Sequence, residues 1–251
     1  MLDITEIFGP TIQGEGKRVG NVSIFIRFGR CNLSCTGFQV EYTTPSGAKK
    51  YGCDSYYAVD NEFKSYWKSY TNHKDIIKQV RSLEPKNSKV DIVITGGEPL
   101  IYWQKEEFQK LLEYYINNNY NLTIETNATL NIDIKKDYQK KILFSMSVKL
   151  SNTLEPITKR VNIKALENII KNIDNKYIKF VISKESIQKA NQEIKNIIKN
   201  IPKVQIYVMP LGDNRQTIDK NSQYVINFAI ENGYTYSDRL HIRVWNDKKG
   251  V

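Results

Sequence analysis

Runs rich in β-branched and aromatic residues alternate with amphipathic stretches along most of this 251-residue chain, and that alternation points to repeated βα units around a parallel sheet. Strands are predicted near 21–29 (NVSIFIRFG), 90–97 (VDIVITGG), 121–127 (NLTIETN), 141–148 (KILFSMSV), 177–183 (YIKFVIS) and 204–210 (VQIYVMP). The patterns between them predict helices near 74–84, 105–119, 161–174, 185–200 and 221–232. The last is stopped by Asn232-Gly233 and followed by a final predicted strand, RLHIRVW. Six parallel strands are fewer than a closed (β/α) barrel needs, which leaves an open partial barrel or a doubly wound sheet. No repeat or linker divides the chain, so residues 1–251 read as a single domain.

Composition narrows the function classes. With 40% hydrophobic and 25% charged residues the chain is neither disordered nor fibrous. The opening MLDITEIFGPTIQGEG carries acids early and lacks a basic and apolar leader, and no stretch approaches eighteen uninterrupted apolar residues, so neither secretion nor a membrane span is expected. The formal charge of +10 is dispersed over stretches such as NIIKNIDNKY and forms no basic block, which favours solvated helix faces over a nucleic-acid tail. Three cysteines are an odd number in a long chain, fitting a reducing cytosol better than a disulfide framework.

All three cysteines lie in the one segment that breaks the βα rhythm. More than forty residues separate the first strand from the first clear helix, and they include TGFQVEYTTPSGAKKYG, whose Thr, Pro, Ser and Gly resist regular structure. A loop of that length inside a compact domain is usually functional or disordered. Cys31 and Cys35 follow the first strand in RCNLSC, and Cys53 ends the loop in YGCDS, which places the thiols at the carboxyl ends of the strands. A structural zinc site would normally need a fourth ligand, and neither His73 nor His241 is near in sequence. Other readings are a catalytic cysteine with a histidine partner, three inert buried thiols, or an iron–sulfur cluster with one iron left open.

The remaining strand ends bear on that choice. Thr95, Gly96, Gly97, Glu98 and Pro99 follow the second predicted strand, Ile124 to Asn127 the third, and Ser147 to Lys149 the fourth. Paired glycines at a strand end allow close backbone approach to an amino-acid-like group, and Glu125, Asn127 and Ser147 can hydrogen-bond ribose hydroxyls. Each motif alone could be an ordinary turn; three beside a three-cysteine loop form a pattern.

That pattern resembles the radical S-adenosylmethionine superfamily and, within it, the 7-carboxy-7-deazaguanine synthases of queuosine and preQ0 biosynthesis. The resemblance runs through EIFGPTIQGEG, IRFGRCNLSC, CDS, TGGEP, ETN, SVK and LHIRVWNDKKGV, in that order, over nearly the whole chain. It implies a partial, open (β/α)6 barrel of mostly parallel strands with an enlarged cluster loop at about 30–55. It also implies a [4Fe–4S] cluster on Cys31, Cys35 and Cys53. S-adenosylmethionine would then lie against Gly52, Cys53, Asp54, Gly97, Glu98, Glu125, Asn127, Ser147, Val148 and Lys149, with Met209, Pro210, Leu211 and Gly212 near its adenine. The implied substrate is 6-carboxy-5,6,7,8-tetrahydropterin, met by Ile12, Gln13, Gly14, Glu15 and Thr95, with Arg27 and the carboxylate of Val251 reaching it too.

A 5′-deoxyadenosyl radical would abstract hydrogen from C6, and ring contraction with loss of ammonia would give 7-carboxy-7-deazaguanine, so no protein side chain is expected to be the catalytic radical. Two departures from the family pattern stand out. Seventeen residues, Thr36 to Gly52, separate the second and third cysteines, and Ser55 stands where relatives often carry a Mg2+-binding Thr. The resemblance further implies a flavodoxin- or ferredoxin-type reductant, a homodimer, a cytoplasmic location, and no direct nucleic-acid or membrane partner. Competing readings are a radical activase acting on a protein, which QGEG and Arg27 disfavour, and a basic nucleic-acid binder with a structural metal.

Overall fold

The computed structural model describes residues 1–248 and Gly250. One nine-stranded sheet organises the molecule. Its strands are β1 (Leu2–Ile12), β2 (Val22–Phe28), β5 (Lys68–Tyr70), β6 (Asp91–Gly96), β7 (Leu122–Thr126), β8 (Leu143–Ser147), β9 (Lys176–Ile182), β10 (Ile206–Pro210) and β11 (Thr235–Tyr236). They lie in the order β11-β10-β9-β8-β7-β6-β2-β1-β5. The six strands β2 and β6 to β10 pair in parallel, as the alternation predicts. β11 extends one edge in parallel, whereas β1 and β5 extend the other antiparallel. The two edges do not pair among the described residues, so the sheet is an open partial barrel.

The helices α1 (Tyr56–Val59), α2 (His73–Leu83), α3 (Glu106–Asn117), α4 (Asp137–Lys140), α5 (Ile157–Arg160), α6 (Ile163–Asn172), α7 (Ile187–Lys199), α8 (Arg215–Asn232) and α9 (Leu240–Trp245) complete the chain. Four match the predicted helices to within a few residues, and α8 begins earlier than expected because Asn214 caps it through the Thr217 amide. Their apolar stripes meet one face of the sheet. Ile24, Ile26, Ile92, Ile94, Ile124, Phe144, Ile178, Phe180 and Val208 join that core.

The opposite face is different in kind. Successive side chains of a strand alternate between faces, and here the odd-numbered positions turn inward. Arg27 pairs in register with Thr95, Glu125 with Ser145, Ser147 with Lys179, and Met209 with Val181. The lower part of this inner face is filled by Leu143, Tyr177 and Tyr207, the two tyrosine rings 4.4 Å apart. Above them the inward positions include the polar Arg27, Thr95, Glu125, Ser147 and Lys179.

Three expectations need correction. RLHIRVW forms α9 and not a strand; its alternating apolar residues do not line one buried face, since Ile242 is buried while Val244 is exposed. Leu240 N–H instead donates to Gly14 O, 2.9 Å away, seating the turn over the N-terminal segment. The opening residues, absent from the strand expectations, form the long β1. The irregular loop contains a hairpin, β3 (Val40–Thr43) and β4 (Lys49–Gly52), whose Pro45-Ser46-Gly47 supplies the turn. Tyr42 stacks on Tyr56 at 4.2 Å, and Lys50 Nζ donates to Asp60 and Glu62, at 2.9 and 2.7 Å.

Candidate active site

The carboxyl ends of the parallel strands open into a cavity of about 440 Å³. Cys31, Cys35 and Cys53 all line it, brought there by the loop that leaves β2 and returns through the hairpin. The three thiols are free. Burial raises all three thiol pKa values, that of Cys53 to about 12, and nearby carboxylates add to the effect: Glu98 beside Cys31 and Asp54 beside Cys53. In the metal-free protein they are therefore protonated, and binding iron would release their protons. Among the described residues no three His, Cys, Asp or Glu side chains converge on one metal ion. A four-iron cluster takes one thiolate at each liganded iron, so Cys31, Cys35 and Cys53, free and lining one cavity, would suit such a group.

The glycines at the end of β6 set the loop's position. Gly96 has φ +133°, and a Cβ on it would overlap the Phe28 backbone; one on Gly97 would overlap Arg30 O. Gly97 N–H donates to Phe28 O at 3.0 Å and Glu98 N–H to Arg30 O at 2.8 Å. The paired glycines thus let the start of the cysteine loop lie directly on the end of β6.

Glu98, expected at the cofactor, has no exposed surface and is absent from the cavity wall. Its carboxylate accepts from Leu100 N, Thr126 Oγ1 and Asn127 N, at 3.0, 2.7 and 2.7 Å, tying the ends of β6 and β7 together. Val148 belongs to the helix-side core. Pro210, at an even-numbered position of β10, and Gly52 do not line the cavity. Asn127 does line the cavity, but its amide is engaged by Asn32 and Thr129.

The other expected residues converge: Ile12, Gln13, Gly14, Glu15, Arg27, Asp54, Ser55, Thr95, Gly97, Glu125, Ser147, Lys149, Met209, Leu211 and Gly212 all line the cavity. Val251 lies outside the described residues, although Asp247, Lys248 and Gly250 reach the wall. At one end Arg27 donates through Nε to Glu6 at 2.7 Å and through Nη1 to Ser55 Oγ at 3.0 Å. Its guanidinium lies over the Phe8 and Tyr57 rings, and Phe8 stacks on Phe25 at 4.9 Å. This end is therefore a cation set among flat aromatic surfaces. Beside it, Glu125 accepts from Thr95 Oγ1 at 2.8 Å and Gln13 Nε2 at 3.2 Å.

Glu15 is more constrained than the sequence suggests. One oxygen accepts from Lys179 Nζ at 2.5 Å and the other from Arg239 Nε at 2.9 Å. Burial alone would raise its pKa, yet the two cations hold the carboxyl far below its usual range. Arg239 also donates to Asp54 at 2.8 Å and to Gly212 O. A Cβ on Gly14 would overlap the His241 ring, and burial lowers the pKa of that histidine.

Lys179, Arg239, His241, Phe8, Phe25 and Tyr57 were not foreseen. Lys179 carried a signal, a single lysine inside the apolar run YIKFVI at an inward position. Arg239 and His241 carried none, because a strand reading of their segment gave no reason to bring them to Glu15.

Residues 12–170 match the family model described as a 4Fe-4S single cluster domain. The chain is 29% identical to the 7-carboxy-7-deazaguanine synthase of Halobacterium salinarum, across 98% of this chain and 91% of that one. Identity to the protein of the same name from Buchnera aphidicola is 34%, across 77% of this chain and 88% of that one. The crystal structure of QueE from Escherichia coli superposes with a TM-score of 0.63 at 22% identity, covering 96% and 94% of the two chains, and shares the fold. With its cysteine loop, its strand-end motifs and these relatives in agreement, the chain belongs to the 7-carboxy-7-deazaguanine synthase family of radical S-adenosylmethionine enzymes.

Proposed function

We propose that this chain converts 6-carboxy-5,6,7,8-tetrahydropterin to 7-carboxy-7-deazaguanine with loss of ammonia. The observation that carries this reading is a single cavity with three free thiols on its wall and Arg27, ringed by aromatic side chains, lining it as well. A [4Fe–4S] cluster on Cys31, Cys35 and Cys53, with S-adenosylmethionine, would supply the 5′-deoxyadenosyl radical that takes hydrogen from C6.

The protein's own part is binding, orientation and exclusion of water. Ser147 and Lys149, joined by a 2.8 Å hydrogen bond, offer a hydroxyl and a cation to the ribose and carboxylate of S-adenosylmethionine. Gly97, Met209, Leu211 and Gly212 would complete that half of the cavity. Arg27 would receive the substrate carboxylate, its planar fork suiting that partner. Ser55 lies within hydrogen-bond reach of Arg27, so a Mg2+ held by its hydroxyl would meet the same carboxylate. Glu125, with Gln13 and Thr95 fixing its two oxygens, presents acceptors suited to the N–H edge of a pterin.

A flavodoxin- or ferredoxin-type protein would deliver the electron, a homodimer in the cytoplasm is the assembly and location that fit the family, and among the described residues no helix is long and apolar enough to cross a membrane. The decisive experiment is anaerobic reconstitution with iron and sulfide, then incubation with reductant, S-adenosylmethionine, Mg2+ and the carboxypterin. Mass spectrometry is expected to find 7-carboxy-7-deazaguanine. Cleavage of S-adenosylmethionine without that product would reject the substrate and keep the chemistry.

A further inference from the structure

The segment that begins at the end of β8 serves the cavity twice. It contributes Ser147 and Lys149 to the wall, then passes through a short turn at Ser151–Thr153 and reaches Glu155. Oε1 of Glu155 accepts three hydrogen bonds from the cysteine loop, from Ser34 N at 2.6 Å, Ser34 Oγ at 2.8 Å and Cys35 N at 2.9 Å. The partners are about 120 residues apart in sequence, so this is a clasp between separate segments and not a local turn. Leu154, with φ +61°, turns the chain into it, and a Cβ on Gly37 would overlap Asn152 O, so the loop and the turn are in close backbone contact. Cys35 itself takes φ +50°, a left-handed conformation that a non-glycine residue keeps only when its surroundings fix it.

We propose that Glu155 is a positioning residue for the second cluster cysteine, its carboxylate fixing the Ser34–Cys35 backbone and setting a negative charge beside the cluster that holds its reduction potential down. The inference rests on the radical S-adenosylmethionine reading above and deepens it. Three donors on one oxygen fix the direction of both amides and leave the loop few ways to relax. Without the carboxylate, two backbone N–H groups lose their acceptor and Cys35 loses the support for its left-handed turn. The charge acts separately from the geometry. Adding an electron beside a fixed anion costs free energy, and cluster potentials respond to nearby charge and hydrogen bonding. Three donors converging on one carboxylate oxygen suit the ionised form of Glu155. A more negative potential makes a stronger one-electron reductant, which reductive cleavage of a sulfonium demands.

The test compares the reconstituted parent chain with Glu155→Gln and Glu155→Ala under anaerobic conditions. Two quantities are read: the rate of iron loss to a chelator, and the midpoint potential from a redox titration followed by electron paramagnetic resonance. Glu155→Gln keeps an oxygen for the two amides and removes the charge, so it is expected to retain iron and shift the midpoint to a more positive value. Glu155→Ala is expected to hold iron about tenfold less well, the scale usual for groups that orient metal ligands. Should the alanine variant fail to fold, the glutamine variant still decides the electrostatic role through its potential. A midpoint unmoved in Glu155→Gln overturns that role, and parent-like iron retention in Glu155→Ala overturns the positioning role. A parent chain that assembles no four-iron cluster overturns this inference together with the functional reading, whereas a parent cluster with unaltered variants overturns this inference alone.

Discussion

Arg27 shows how much one side chain can be asked to do here. It is inward on β2, held by Glu6 through Nε and by Ser55 through Nη1, and flanked by the Phe8 and Tyr57 rings. Replacing it with alanine is expected to raise KM for the carboxypterin about 10- to 100-fold, the range of about 1.5–3 kcal/mol for hydrogen bonds to a charged group. Iron content and uncoupled cleavage of S-adenosylmethionine should stay at parent levels; their loss would show that Arg27 supports the cluster side instead. Ser55 shares its hydroxyl with that guanidinium, and Ser55→Ala should raise the Mg2+ concentration needed for half-maximal turnover. An unchanged Mg2+ dependence would remove Ser55 from the metal site. The thiols are the simplest case. Alanine at Cys31, Cys35 or Cys53 should abolish assembly of the four-iron cluster, measured as iron and sulfide per chain, and a variant with full iron would strike that cysteine from the ligand set.

At the scale of the element, strand parity sorts the site from its support. Ser147 and Val148 are neighbours in sequence, yet Ser147 lines the cavity and Val148 packs into the helix-side core at 2% exposure. Val148→Ala should therefore lower stability by roughly 2 kcal/mol, toward the low end for buried aliphatic truncations, with affinity for S-adenosylmethionine unchanged. Urea unfolding and equilibrium binding check the two halves, and weakened cofactor binding without a stability loss would reverse the assignment. The six parallel strands and four helices were legible because each carries its own period: continuous β-branched runs for strands buried on both faces, and stripes at helical spacing. Cavity residues such as Thr95, Glu125 and Ser147 were legible because a polar residue near the end of an apolar run is itself a signal. Motif reading does not say which side chains face the cavity, and Glu98, Val148 and Pro210, expected at the cofactor, lie off its wall. The hairpin β3–β4 and α9 were not legible for another reason. Tyr42 on Tyr56, Lys50 between Asp60 and Glu62, and Leu240 on Gly14 are contacts between segments, and local composition does not encode them.

On the scale of the whole molecule, an ion-pair chain closes the mouth of the open sheet. Lys179 on β9, Glu15 after β1, Arg239 before α9 and Asp54 beside the third cysteine follow one another at 2.5, 2.9 and 2.8 Å. They join the N-terminal segment, the parallel sheet, the C-terminal turn and the cysteine loop, so the partial barrel, whose edge strands β11 and β5 do not pair among the described residues, is fastened by charge at this end. Burial pushes the Glu15 pKa up, but Lys179 and Arg239 outweigh it and hold the value well below 4.5, the ordinary value for this group. A folded-state pKa depressed in this way contributes stability that is fully present above the unfolded value and is lost as pH falls through the folded one. Stability of the metal-free parent should therefore decline as pH drops below about 5. Glu15→Gln removes that contribution and leaves Lys179 and Arg239 short of a counter-charge, at a cost of about 3–5 kcal/mol near neutrality, the scale for breaking a buried pair. The difference between parent and variant in urea midpoint should be largest at neutral pH and shrink as the solution is acidified. A gap that stays constant down to acidic pH would mean that Glu15 contributes through packing, and that the mouth of the barrel is held by something other than these charges.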